Sequence, residues 1–268
     1  MNRFSFPTKR PFNWKVFLFL VVLIFLATYT IIPFAFSLQS IQLPKENLPR
    51  ILILTLADVL IVVVLAGIGL FLACRIGLGL PFIEGWLKKE QAWNRFRGVL
   101  VISIIVGVFS SFVILVINQL IFVPPLLEEI KRLGIVLPES PPPWQGLLAS
   151  FSAGVTEESV FRLFGLTLLV WIGSRFSSDS EGRPTLVVLW IANIIIAVTF
   201  GVAHLPLTAA IGLPLNMLVI ARAIVLNGIG GIAFGWLYWT RGLESAMIAH
   251  FSVDVVLHVI LVAIAPLL

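Results

Sequence analysis

Charge is what this sequence has least of. Only 12% of its 268 residues are Asp, Glu, Lys or Arg, about half the share that a soluble domain carries. So few charges cannot cover the surface of a water-soluble protein of this length, which excludes that class. The hydrophobic share of 59% and a mean hydropathy of +1.08 agree. Cysteine is nearly absent: Cys74 stands alone, so no intrachain disulfide can form and the redox compartment is not legible from it. No internal repeat and no soluble domain can be discerned. What remains is an all-α, polytopic transmembrane bundle, because hydrocarbon is the solvent in which this composition makes sense.

The formal net charge of +5 does not imply a nucleic-acid partner. Most basic residues sit in short segments between apolar runs, where membrane orientation is encoded. Arg3, Lys9, Arg10 and Lys15 precede the first run, and Arg75, Lys88, Lys89, Arg95 and Arg97 follow the second. The opposite side has Lys45 and Arg50, then Lys131 and Arg132 diluted by Glu128 and Glu129. This bias predicts a cytoplasmic N-terminus in a bacterial plasma membrane. Trp86 and Trp93 mark an interfacial stretch beside the basic loop. The first run is too long for a signal-peptide core and lacks a small-residue exit, so it reads as a retained span.

A hydrocarbon core of ~30 Å needs about 20 apolar helical residues. The candidate spans are Trp14–Phe36, Leu52–Cys74, Gly98–Val123, Gly146–Gly173, Thr185–His204, Leu215–Trp239 and Leu243–Leu268. The connector Pro124–Trp144, with Pro138, Pro141, Pro142 and Pro143, reads as extended, since proline cannot continue a helix. It separates an N-terminal three-span region, 1–144, from a C-terminal region, 145–268.

The second region holds ionisable residues that hydrocarbon should exclude: Glu157, Glu158, Arg162, His204, Arg222, His250, Asp254 and His258. Each charge at mid-bilayer costs ~2.5–3.5 kcal/mol on insertion scales, so such a cluster persists by pairing or by lining a wet pocket. Glu158 and Arg162, four residues apart, meet on one helix face. Glu157 points about 100° away from that pair, so one carboxylate is tied down and the other is free to act as a general base. His250 and Asp254 repeat the four-residue spacing, which lets the carboxylate hold the imidazole in one tautomer. His258 continues that stripe without a mate and reads as structural or pore-lining.

Depth poses a problem. If the fifth and seventh spans run parallel, His204 ends one and His250 begins the other, about a membrane thickness apart. An even number of crossings, or a half-crossing, between Leu205 and Trp239 would bring them to one side. Pro206, Pro214, Gly212, Gly228, Gly230, Gly231 and Gly235 fit a broken or closely packed helix pair there. The expectation is a re-entrant or eighth helical segment over Leu207–Leu213, hence seven or eight spans.

Three motifs in order carry a resemblance. Glu157-Glu158-Ser159-Val160-Phe161-Arg162 resembles the EExxxR motif of the CPBP intramembrane proteases, the CAAX-protease and bacteriocin-processing enzymes. Phe200-Gly201-Val202-Ala203-His204 resembles that family's FxxxH, and His250-Phe251-Ser252-Val253-Asp254 its HxxxN/D. The lead-in Gly235–Leu243 is also similar, and the resemblance covers Leu147–Val259. It implies an intramembrane endopeptidase acting on a protein or peptide substrate at the bilayer. Glu157 and His204 would activate water, His250 and Asp254 would stabilise the oxyanion, and Arg162 would hold Glu158. Asp254 departs from the Asn of prenyl-protein endopeptidases, and an ionised Asp cannot donate to an oxyanion.

Metal is a separate question. Glu157, His204 and His250 could supply the three ligands of a catalytic zinc or another divalent cation, which would make the enzyme a metalloprotease. The zincin signature HExxH is absent, which favours the metal-free route. Two other classes stay open. A proton-coupled transporter would use Asp58 and Arg222, as a pair, along with the cluster. A catalytically idle scaffold or immunity protein would keep the fold alone.

Overall fold

The computed structural model describes residues 8–40, 47–89 and 92–264. Arg3, Lys45 and the last four residues of the seventh expected span lie outside the described residues, as does the side chain of Arg95. Helices make up every regular element among the described residues.

The first, α1 (Trp14–Thr30), starts at Asn13, whose side-chain oxygen accepts from the backbone of Lys15 and Val16. Its buried stripe of Val16, Leu20, Ile24 and Ala27 has helical spacing, and α2 (Ile32–Leu38) continues it. Next, α3 (Leu48–Ile76) ends where Gly77 takes φ +77°, a left-handed cap that costs glycine nothing. The short α4 (Pro81–Leu87) has its N-terminus closed by Glu244, whose Oε1 accepts from Ile83 N at 2.9 Å. Helix α5 (Ala92–Ile117) passes through a π-helical segment, Asn118–Phe122, into α6 (Val123–Leu133). Pro124 and Pro125 lie just beyond that segment. They break two α-type bonds, and the widened turn absorbs the break.

The C-terminal region repeats this construction. Helix α7 (Pro143–Glu158) runs through a π-helical segment, Ser159–Leu166, into α8 (Thr167–Gly173). Then come α9 (Leu186–Ala203), the short α10 (Leu205–Ala210) and α11 (Met217–Arg241), which Asn216 caps by accepting from Val219 N at 3.0 Å. Gly242 makes the turn into α12 (Leu243–Asp254), a third π-helical segment, Val255–Ile260, and α13 (Leu261–Ile264).

Among the described residues, six helical stretches are long and apolar enough to cross a membrane: Trp14–Leu38, Leu48–Ile76, Phe96–Leu133, Leu186–Ala210, Met217–Arg241 and Leu243–Ile264. The continuous helix from Pro143 to Gly173, made more polar by Glu157, Glu158 and Arg162, is long but is not one of these six. This is a multi-pass membrane protein. Over Leu207–Leu213, where an extra segment was expected, the chain forms α10 and a turn. Six helical residues rise ~9 Å, too little to cross. Leu205–Trp239 therefore crosses once, and the even-crossing alternative fails.

Small residues set the close approaches. A methyl on Gly69 of α3 would overlap the backbone at Leu163, and one on Gly107 of α5 would overlap Ala249 of α12. Helices α9 and α11 pack antiparallel, with Gly201 against Ile224, Ala197 against Gly231 and Asn193 against Gly235. The main buried apolar cluster runs from Val16 to Val253 and draws on both regions of the chain.

Candidate active site

The site is assembled where the π-helical segments begin. Glu157 and Glu158 end α7, and the widened turn starting at Ser159 carries Arg162. Asp254 likewise ends α12 just before its own widened turn. Such insertions re-aim the residues on either side of them and recur at functional sites.

Arg162 and Glu158 are both fully buried, with Nη1 and Oε1 3.0 Å apart, as the four-residue spacing requires. Arg162 Nη2 also donates to the carbonyl of Gly231 at 3.2 Å. Its guanidinium lies 4.7 Å from the centre of the Phe200 ring and 5.3 Å from that of Phe234. A buried charge needs this many partners, because hydrocarbon supplies none.

The same carboxyl oxygen holds His250. Its Nδ1 lies 2.8 Å from Glu158 Oε1, while the ring stacks on Phe234 at 4.7 Å and meets the edge of Phe200 at 5.7 Å. Asp254 is not the residue that fixes the imidazole. It faces the other nitrogen, with Oδ2 3.6 Å from Nε2, and Glu157 Oε2 faces it too at 3.9 Å. Neither distance is a hydrogen bond. The expectation that Asp254 orients His250 through its own helix is thereby corrected: the orienting bond comes from α7. Glu157 is the most accessible member, with a third of its side chain exposed against none of Glu158.

His204 comes near this group without bonding to it. Its Nδ1 lies 2.8 Å from the carbonyl of Phe200 one turn back. A carbonyl only accepts, so Nδ1 carries the hydrogen and a neutral ring leaves its Nε2 lone pair free. The Phe200 ring stands edge-on to both imidazoles, at 4.8 Å from His204 and 5.7 Å from His250. The depth problem resolves because the cluster is deep. His250 lies seven residues beyond the start of α12, ~10 Å along it, and His204 folds back toward Phe200.

Glu157, Glu158, Arg162, His250 and Asp254 thus converge, with His204 one phenyl ring away. Among the described residues, no three His, Cys, Asp or Glu side chains form a group that could hold a metal ion. The donor set expected for zinc does not gather, and the metalloprotease label is unsupported. Three carboxylates, those of Glu157, Glu158 and Asp254, thus surround the His250 ring, and the Arg162 guanidinium pairs with one of them.

One further expectation changes and another narrows. Arg222 is not paired with Asp58: its Nε donates to Asn118 Oδ1 at 2.9 Å, and Asp58 is exposed on α3. His258 packs edge-on against Phe34 at 5.5 Å, and its backbone lies where a methyl on Gly146 would be, a structural position. The residues that sequence reasoning missed are the aromatic walls, Phe200 and Phe234, with Phe161 against Phe200 at 5.0 Å, and the Gly231 carbonyl. Phe200 stood in a motif already, whereas nothing in the sequence marked Phe234.

No curated protein and no solved structure matches the chain. Residues 138–256 match the model of a protein family, the type II CAAX prenyl endopeptidase Rce1-like family. That segment contains all three motifs and every residue of the site, and the match supports the resemblance of this C-terminal region to the CPBP intramembrane proteases, the CAAX-type membrane endopeptidases.

Proposed function

We propose that this protein hydrolyses a peptide bond in a membrane-associated substrate, a prenylated C-terminal tail or a leader peptide, using water activated by Glu157. Glu157 is the carboxylate that combines access with proximity to His250. It takes a proton from water, and the oxygen attacks the scissile carbonyl carbon. His204, with Nε2 open, accepts the second hydrogen of that water and aims it.

Protonated His250 gives its Nδ1 hydrogen to Glu158 and presents its Nε2 hydrogen to the developing oxyanion. When the C–N bond breaks, the proton on Glu157 passes to the departing nitrogen, leaving a carboxylic acid and an amine, and the acid then loses its proton to solvent. Asp254, with Oδ2 3.6 Å from Nε2, neutralises the imidazolium. Arg162 and Glu158 touch no substrate; they are positioning residues. The basic residues Arg75, Lys88, Lys89 and Arg97 follow or precede spans on the N-terminal side, which supports a cytoplasmic N-terminus.

The observation that carries this reading is His250 anchored through Nδ1 to one buried carboxylate while Nε2 faces two others, contributed by α7 and α12. The test is to incubate the purified full chain with a farnesylated peptide ending in Cys-a-a-X, and separately with a leader-type peptide. Cleavage of either by the wild type but not by His250→Ala supports the reading. Proton flux in vesicles without cleavage of any membrane-bound peptide would overturn it in favour of a transporter.

A further inference from the structure

We propose that Asn227 binds the backbone of the substrate peptide at the third residue from the cleaved bond, an inference that rests on the peptidase reading above. Three asparagines lie inside the membrane-spanning stretches among the described residues, Asn118 in Phe96–Leu133, Asn193 in Leu186–Ala210 and Asn227 in Met217–Arg241, and two have an evident structural use. Asn118 accepts from Arg222 across α5 and α11, and Asn193 donates from α9 to the carbonyl of Ile232 on α11 at 3.0 Å. Asn227 joins no two helices. Its Nδ2 donates to the carbonyl of Ala223 on its own helix at 2.8 Å, and Oδ1 has no partner among the described residues.

An asparagine in a helix interior loses helix propensity against leucine or alanine, and in a span it also carries a desolvation cost. Elsewhere in membrane helices such residues recover that cost by bonding to a neighbouring helix. Among the described residues Asn227 bonds only to its own helix and leaves Oδ1 open, and it is half-buried. An external partner accounts for both facts.

Placement says which partner. Seven residues separate Asn227 from Phe234, the ring on which His250 stacks. Seven residues are two turns, so the two share a face to within ~20° and lie ~10 Å apart along the helix. At this level α11 packs on the end of α9 that carries His204: Gly201 meets Ala223 and Ile224, and a methyl on Gly228 would lie 4.0 Å from the Ala197 carbonyl oxygen. An extended peptide advances ~3.3–3.6 Å per residue. A chain cleaved at His250 and Glu157 would therefore bring the N–H of its third residue to Asn227. The carboxamide oxygen accepts that N–H, whatever the side chain of that residue.

The test uses the full chain in detergent and a fluorescent farnesylated Cys-a-a-X peptide. Binding is measured with Glu157→Gln present, and turnover without it. Asn227→Leu is expected to weaken binding about fivefold, the loss of one neutral hydrogen bond. The same factor appears in KM rather than kcat, with the melting temperature unchanged, and Asn227→Gln recovers part of the loss. Unaltered binding by Asn227→Leu would overturn the proposal. So would a lowered melting temperature that Gln does not restore, since that marks a structural role. If Glu157→Gln still turns over peptide, the catalytic role of Glu157 fails, while the binding comparison still decides Asn227.

Discussion

His250 takes its orienting bond from Glu158, 92 residues earlier in the chain, and not from Asp254, one turn away on its own helix. Because Arg162 shares the same oxygen of Glu158, a single carboxylate joins the buried guanidinium to the imidazole. Removing it should act on stability and chemistry together. Glu158→Gln leaves a fully buried arginine without its counter-charge, a change that typically costs about 3–5 kcal/mol. The double variant Glu158→Gln with Arg162→Met should recover much of the thermal stability without recovering cleavage. Melting curves beside a cleavage assay separate the two effects.

Asp254 faces Nε2 without bonding to it, so its charge matters more than its geometry. Asp254→Asn keeps the shape, removes one of the three carboxylates and supplies an N–H for the oxyanion. Activity within about tenfold of wild type is expected, whereas Asp254→Leu, which can neither donate nor accept, should lose about 10²-fold or more. Comparing kcat/KM for the two variants checks this.

Because no metal-binding group is assembled among the described residues, cleavage should survive 1,10-phenanthroline and EDTA, with less than a twofold change. Loss of activity that added zinc restores would mean that Glu157, His204 and His250 rearrange around an ion, and the water-activation scheme would have to be abandoned.

Outside the spans, Glu84 on α4 is buried and ion-paired with Arg10. Burial pushes its carboxyl above the ordinary 4.5, and the neighbouring Arg10 opposes this without cancelling it. The folded chain therefore favours the protonated form. That contribution to stability is fully present below the ordinary value and is lost as pH rises through the raised one. The melting temperature of wild type should decline over that rise, and Glu84→Gln should flatten the decline. Parallel curves for the two proteins would contradict it.

Much of this was legible in the sequence because membrane helices obey local rules. Length and apolarity gave the spans, and the four-residue spacing of Glu158 and Arg162 gave their ion pair, since both are properties of a single helix. What lay between helices was not legible. Spacing pointed His250 to Asp254, yet the bond to Glu158 depends on how α7 packs on α12, which Gly146 and Gly154 allow. Arg222 found Asn118 instead of Asp58 for the same reason. The depth puzzle arose from treating the histidines as belonging to helix ends, when His250 lies two turns inside α12.

The central claim is that Glu157 activates the attacking water, and single-turnover cleavage of a farnesylated Cys-a-a-X peptide tests it most directly. Glu157→Gln, matched to wild type in melting temperature and in peptide binding, should slow the bond-breaking step by 10²–10⁴-fold. A variant that cleaves as fast as wild type would contradict the account.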